Sequence, residues 1–487
     1  MDQNIIRFEI AKNLLKATGD YKSYFTQKTV KINLKSKKLN KEKVEQLCLV
    51  LQGFEKVEKL KLNLRENILK DEGVKLVAQA ISKLCTVKFL VLNLYGVELN
   101  AEGAKYLAEY LPNLKNIETL KINLWWNNVQ NEGILSICKS IGMLSKLKTL
   151  ELDLVHNNIS DDGCKLVEYL ESNNQLSNLS IFLQNNLIGP NGICHLQEGF
   201  NNAPQVETLV MFLGVNKIGV EGAYFLGQCF KKQNLIKNLT LGLLKNEFGD
   251  EGLEKIAEGI SNIQCLNQLS MILWENDLTE VGASALSNMV STLPNLTHLF
   301  LNLRNNRLGS QGLYELGKGF KGHQNISYLD LFLMDNQIKD QGFIKFSNEL
   351  KNLPNLHTLN LILTSNYLTD SCCKSVGESL ATIQKLGSLE LDLVQNEEIT
   401  QKGVALLHSY SAQLDRLIQV KIEYDKENKD QLIQKYQKAI QNSQLKVKIQ
   451  KVMYYTPIIQ LLASKKIYGE IIQNLPLIIQ DLRIHQK

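Results

Sequence analysis

The residues of this 487-residue chain that could carry chemistry are few and scattered. Its seven histidines (His156, His195, His298, His323, His357, His408 and His485) fall mostly in loops or at helix ends, and none has a cysteine at zinc spacing. Of nine cysteines, Cys48, Cys85, Cys138, Cys164, Cys194, Cys229 and Cys265 lie singly in helical stretches, and Cys372-Cys373 are adjacent. Without a C-x-x-C pair they suit neither a zinc ribbon nor a disulfide framework, but small apolar side chains in a reduced interior. Acidic pairs such as Asp161-Asp162 read as helix starts, where the helix dipole favours negative charge. No phosphate-cradling G-x-x-x-x-G-K-[ST], zinc-binding H-E-x-x-H, nucleophilic G-x-S-x-G or kinase signature occurs. The expectation is a protein with no catalytic residue, metal, cofactor or small-molecule substrate. Its reduced cysteines point to the cytoplasm, with the nucleus or a cilium as alternatives.

What the sequence does contain is repetition. "LNLRNNRLGSQG" at 301–312 is rewritten as "LGLLKNEFGDEG" sixty residues earlier and "LFLMDNQIKDQG" thirty later. Glycines from Gly73 to Gly342 fall every 30 residues, once 29, and Cys372 fills the slot before Gly403. Asn67, Asn127, Asn157, Asn186, Asn216, Asn246, Asn276, Asn306, Asn336, Asn366 and Asn396 keep the same beat, and only Val97 interrupts them. A fixed period of this length marks a solenoid. Each unit reads as a strand, a turn and a helix. Alternation such as Leu60, Leu62 and Leu64 buries one face of the strand. Ala104, Leu107, Ala108 and Leu111 give the helix its apolar stripe, and Ser160, Thr279 and Thr369 mark helix starts. The Asn column is expected to hydrogen-bond otherwise orphaned backbone groups where each strand bends away, forming a structural ladder. The glycine falls where a Cβ would meet the adjoining repeat.

The pattern L-x-x-L-x-L-x-x-N-x-[IL]-x-x-x-G resembles leucine-rich repeats, specifically the ribonuclease-inhibitor-like subfamily with a full helix per repeat. The resemblance spans residues 30–423, over 80% of the chain. This repeat is longer than usual by an extra L-x pair, and it has Asn where ribonuclease inhibitor alternates Cys and Asn, so ribonuclease binding does not carry over. The resemblance implies an α/β leucine-rich-repeat solenoid of about 12–14 repeats, a horseshoe with a parallel sheet on its concave side and helices on its convex side. It also implies a role in binding other proteins. Three regions are expected: an N-terminal helical cap at 1–28, with a helix through Ile6, Ile10 and Leu14; the solenoid at 29–423; and a C-terminal cap or docking segment at 424–487. "QVKIE" (419–423) and "LKVKIQ" (445–450) read as last strands, and 453–487 as two closing helices or a partner-docking segment.

Alternate strand positions face away from the helices, and there the sequence changes character. Early repeats present Asn63, Asn93, Asn123 and Asp153; middle repeats present Phe182, Phe212, Leu244, Ile272, Trp274, Phe300, Phe332 and Met334. With strands about 4.8 Å apart these apolar side chains are expected to form one patch, flanked by Trp125. Large bare apolar areas are rare on soluble monomers, and aromatic anchors dominate many interfaces, so the patch reads as a docking surface for a partner protein. The competing readings are strand propensity and cover by a terminal segment. Two further functions stay open. Ran GTPase-activating proteins resemble this architecture and act through an arginine and an asparagine at a repeat edge; Arg65, Arg304 and Arg307 are the candidate arginines, although the acidic tail of that family is missing. A structural subunit of a larger assembly, for example a ciliary one, would use the basic last 45 residues for attachment.

Charge narrows the partners. The net +5 is carried by residues 443–487, and the rest of the chain is neutral, so a nucleic-acid-gripping basic face is not expected. No apolar run reaches the roughly 18–20 residues that a membrane span needs, and the first residues lack a secretory signal pattern.

Overall fold

The computed structural model describes residues 5–6, 26–202 and 206–424. The chain divides into two compact units, one of 1–267 with 273–295 and one of 268–272 with 296–487. In the first unit the strands are β1 (Ile5–Ile6), β2 (Thr29–Asn33), β3 (Lys59–Asn63), β4 (Phe89–Asn93), β5 (Thr119–Asn123), β6 (Thr149–Asp153), β7 (Asn178–Phe182), β8 (Thr208–Phe212) and β9 (Asn238–Gly242). In the second they are β10 (Gln268–Ile272), β11 (His298–Asn302), β12 (Tyr328–Phe332), β13 (Thr358–Ile362), β14 (Ser388–Asp392) and β15 (Gln419–Glu423). Within each unit every strand pairs in parallel with the next. The architecture is an α/β leucine-rich-repeat solenoid, with helices alternating with the strands of a parallel sheet.

Register follows from the period-two pattern, because a one-residue slip would turn every Leu outward. Leu60, Leu90 and Leu120 stand opposite one another, as do Leu299, Leu329 and Leu359. All six are buried together with the helix stripe of Ala104, Leu107 and Leu111. The core of each unit therefore lies between one face of the sheet and the helices. The opposite face is left to the odd strand positions.

Two polar columns hold successive repeats together. The first is the asparagine ladder. Asn366 donates through Nδ2 to the carbonyls of Leu333 (3.0 Å) and Leu363 (2.9 Å), and its Oδ1 accepts the N–H groups of Asn336 (3.1 Å) and Ile338 (2.9 Å). Asn67 and Asn127 repeat this pattern, and Asn157, Asn186, Asn216, Asn246, Asn276, Asn306, Asn336 and Asn396 each donate to strand-end carbonyls in the same way. A second column is formed by acidic or amide residues in the first helical turn. Asp161 Oδ1 accepts the Gly189 N–H (2.6 Å), and Asp250 accepts both the N–H and the hydroxyl of Thr279 (2.8 and 2.6 Å). The Asp161-Asp162 pair is thus split between two jobs, for Asp162 pairs with Lys165 at 2.9 Å. This column explains the glycines: a Cβ on Gly192 would lie 2.7 Å from Asp161 Oδ1, and one on Gly163 equally close to Asn131 Oδ1.

Several expectations are revised. Ile5–Ile6, read as helix, form β1 against Lys31 and Ile32; the remainder of the proposed 3–16 helix, the strand at 445–450 and the segment 453–487 lie outside the described residues. Thr279 and Thr369 cap their helices, but Ser160 does not, and the segment it opens, Asp161–Leu170, winds as a 3-10 helix. Its hydroxyl instead accepts from Asn131 Nδ2 at 2.7 Å. The cysteines are all unbridged; most are buried, but Cys85 is exposed.

Candidate protein-docking face

Odd strand positions project from the sheet on the side away from the helices, and each unit presents its own set. In the first unit the early repeats are polar and tightly paired. The Arg65 guanidinium lies over the Tyr95 ring (4.5 Å) and pairs with Glu66 (2.7 Å), and Tyr95 meets Trp125 edge-on at 5.0 Å. Lys121 and Glu151 form an ion pair with both side chains nearly covered. Asn123 donates to Asp153 at 2.8 Å. Burial pushes the Asp153 carboxyl up to about 7, with Glu151 adding to the effect and the Val155 N–H opposing it.

The polar residues of this column also have a local task. Asn63, Asn93 and Asn123 each accept the N–H two residues on (3.2, 3.1 and 3.0 Å), closing the turn that ends the strand. Where the column becomes apolar, rings take over. Phe182 stacks on Phe212 at 5.3 Å, and the Phe212 ring occupies the space a Cβ on Gly242 would need, with Cε1 2.8 Å from it. Leu244 likewise covers Gly214, whose Cβ would fall 2.5 Å from Leu244 Cδ2. The Trp274 ring carries Lys245 at 5.6 Å, and Lys245 also pairs with Glu275 at 2.9 Å. Trp125, Phe182, Phe212, Leu244 and Trp274 are all half-buried.

In the second unit Ile272, Phe332 and Met334 are half-buried on the same side of their strands. Phe300 departs from the expectation of an open side chain: only 3% of it is exposed, and the Phe332 ring stands 5.5 Å away. A neighbouring aromatic has filled the space into which it was read to project. Next to these rings is a buried acid. Asp330 is 2% exposed, and burial pushes its carboxyl up to about 8, with the Asn360 hydrogen bond opposing and the Glu390 charge reinforcing the shift. Its Oδ1 has no hydrogen-bond partner. Three further orphaned atoms lie at odd positions, Trp125 Nε1 and Gln184 Oε1 in the first unit and Thr364 Oγ1 in the second.

Sequence reading missed these orphaned atoms, since nothing in a residue's type says whether its neighbours will satisfy it. It also left open the arginines. Arg65 is 8% exposed and fixed by Tyr95 and Glu66, whereas Arg304 is half-buried and Arg307 exposed. Among the described residues, Glu168, His195 and Glu198 have ligand atoms within 4.8 Å of one another, but both carboxylates are in solvent and no other feature points to an ion. No helix among the described residues is long and apolar enough to cross a membrane.

Comparison with known proteins bears on the fold. A family model described as Leucine Rich repeat matches residues 146–167, and the repeats are leucine-rich repeats. No curated protein matches the chain. Among solved structures, the chain is similar to one described as the crystal structure of the Rad7 and Elc1 complex in yeast, at 18% identity over 74% of this chain and 91% of that one, with a TM-score of 0.35.

Proposed function

We propose that the protein is a non-enzymatic scaffold, of the ribonuclease-inhibitor-like kind of leucine-rich-repeat protein, that binds a partner protein through the sheet face opposite its helices. One observation carries this reading. Half-buried apolar side chains on that face are interspersed with polar atoms that are buried yet unpaired: Trp125 Nε1, Gln184 Oε1, Asp330 Oδ1 and Thr364 Oγ1. Leaving a buried donor or acceptor unsatisfied costs about 1–3 kcal/mol, and folded proteins seldom tolerate it without a reason. A protein surface laid on this face in either unit would cover its half-buried apolar side chains. Neither nucleic acid nor a small-molecule substrate has comparable support.

Affinity capture with the full chain, followed by quantitative mass spectrometry, tests the proposal when wild type is compared with Trp274→Ala, Met334→Ala and the helix-surface control Tyr224→Ala. The sheet-face variants are expected to weaken recovery of the partner by about 2 kcal/mol or more, the behaviour of a buried anchor, while Tyr224→Ala leaves it unchanged. Equal recovery from all four proteins would refute docking on the sheet.

A further inference from the structure

A second candidate site lies at the strand ends of the first unit. The residue just before each ladder position sits in left-handed backbone, as at Glu66 (φ 58°), Gly96 (56°), Trp126 (57°) and His156 (53°). Gly96 is the glycine of this column, and a Cβ built on it meets nothing within 4 Å. The vacant side-chain position opens a cavity of about 710 Å³ lined by Lys70, Asp71, Tyr95, Glu98, Asn100, Trp126 and Asn128, among others.

Trp126 gives the cavity its character. It is 56% exposed, although a bulky residue at positive φ is held there at a cost. His156 flanks the indole (centroids 5.4 Å apart, planes at 39°), and the indole also lines the cavity beside Gly96. One wall is fixed by a run of hydrogen bonds: Asn158 donates to Asn128 (2.9 Å), Asn128 to Asn100 (3.2 Å), and the Asn100 N–H to Asp71 (2.8 Å). The carboxylates of Asp71 and Glu98 outnumber the single cation, Lys70. An aromatic plane beside an excess of negative charge favours a flat cation, and guanidinium stacks on indole while donating to carboxylates. The chain already makes such a contact next to the cavity, where Arg65 lies over Tyr95 and pairs with Glu66.

We infer that this cavity is a binding site for an arginine side chain of a partner protein. The site lies at the strand ends and shares Tyr95 with the sheet face, but it does not depend on the docking proposed there.

The chain's three tryptophans make the test direct. The 487-residue chain labelled with 5-fluorotryptophan gives three fluorine resonances, and Trp126→Phe assigns the one of interest. Titration with N-acetyl-Gly-Arg-Gly-amide to about 20 mM, a range suited to weak single-residue binding, is expected to shift the Trp126 resonance saturably. The citrulline analogue, which has the same shape without the charge, should bind on the order of fivefold more weakly, as should the arginine peptide to Glu98→Gln. Gly96→Asn, which puts a side chain into the vacant position, should weaken binding on the order of fivefold. Asn185 and Asn305 occupy the same column at φ 52° and 50°, so the backbone accepts the substitution, and unmoved Trp125 and Trp274 resonances report that the fold is intact. The inference is overturned if the arginine peptide gives no saturable shift, if citrulline or methyl β-glucoside binds as well, or if Gly96→Asn binds the arginine peptide as tightly as wild type.

Discussion

Asn366 shows what a single side chain does in this fold. Its amide meets two strand-end carbonyls and two N–H groups that no strand or helix pairs. Asn366→Ala should therefore cost about 1–3 kcal/mol in chemical denaturation, the penalty of leaving buried backbone groups unpaired. Asp330 makes a different prediction. Its carboxyl is held at about 8 against an ordinary 3.8, so between these values the folded state keeps a proton that the unfolded state has lost. Stability from this residue is full below about pH 4 and declines as pH rises towards 8. Asp330→Asn keeps the shape without the titration; it should flatten the stability profile over that window and, at pH 8, exceed wild type by on the order of 1–3 kcal/mol. A steeper decline in the variant would contradict the assignment. The ladder was legible in the sequence because its constraint is chemical and only an amide meets it. The buried state of Asp330 was not, because it depends on rings contributed by neighbouring strands.

At the scale of the repeat, the strand and the helix were legible because their periods of two and 3.6 are written in Leu, Ile and Val. The column of left-handed residues was not. Its constraint is a backbone angle, and Glu66, Trp126, Val215, Lys245 and Ser365 satisfy it with no shared side chain. Val215 is the misfit, since a β-branched residue at φ 55° is strained. Val215→Asn should raise stability by about 1 kcal/mol, read as a shift in denaturation midpoint. The glycine column was found by spacing, but its neighbour was not foreseen. Because Asp161 Oδ1 occupies the place a Gly192 Cβ would take, Gly192→Ala should cost about 1–3 kcal/mol. If it instead stabilises the helix, as an unhindered Gly→Ala does, the close approach is not maintained in solution. Asp161–Leu170 was read as an α-helix like its neighbours and winds as 3-10; we have no sequence signal that would have distinguished it.

For the whole molecule, the sequence placed the solenoid, the ladder and the side of the strands left free by the helices. It could not tell exposure from partial burial: side chains read as open, Phe300 above all, are packed by the rings and leucines of adjacent strands. The account's central claim is that this face, rather than the helix surface, receives a partner protein. Site-specific photocrosslinking tests it most directly. A photoreactive phenylalanine analogue is placed at Trp274 in the first unit, at Met334 in the second, or at Tyr224, which lies on a helix and is 46% exposed. The account predicts adducts with a partner protein from Trp274 and from Met334, and none from Tyr224. Adducts arising only from Tyr224, or joining the sheet positions to the chain's own residues 425–487, would contradict it.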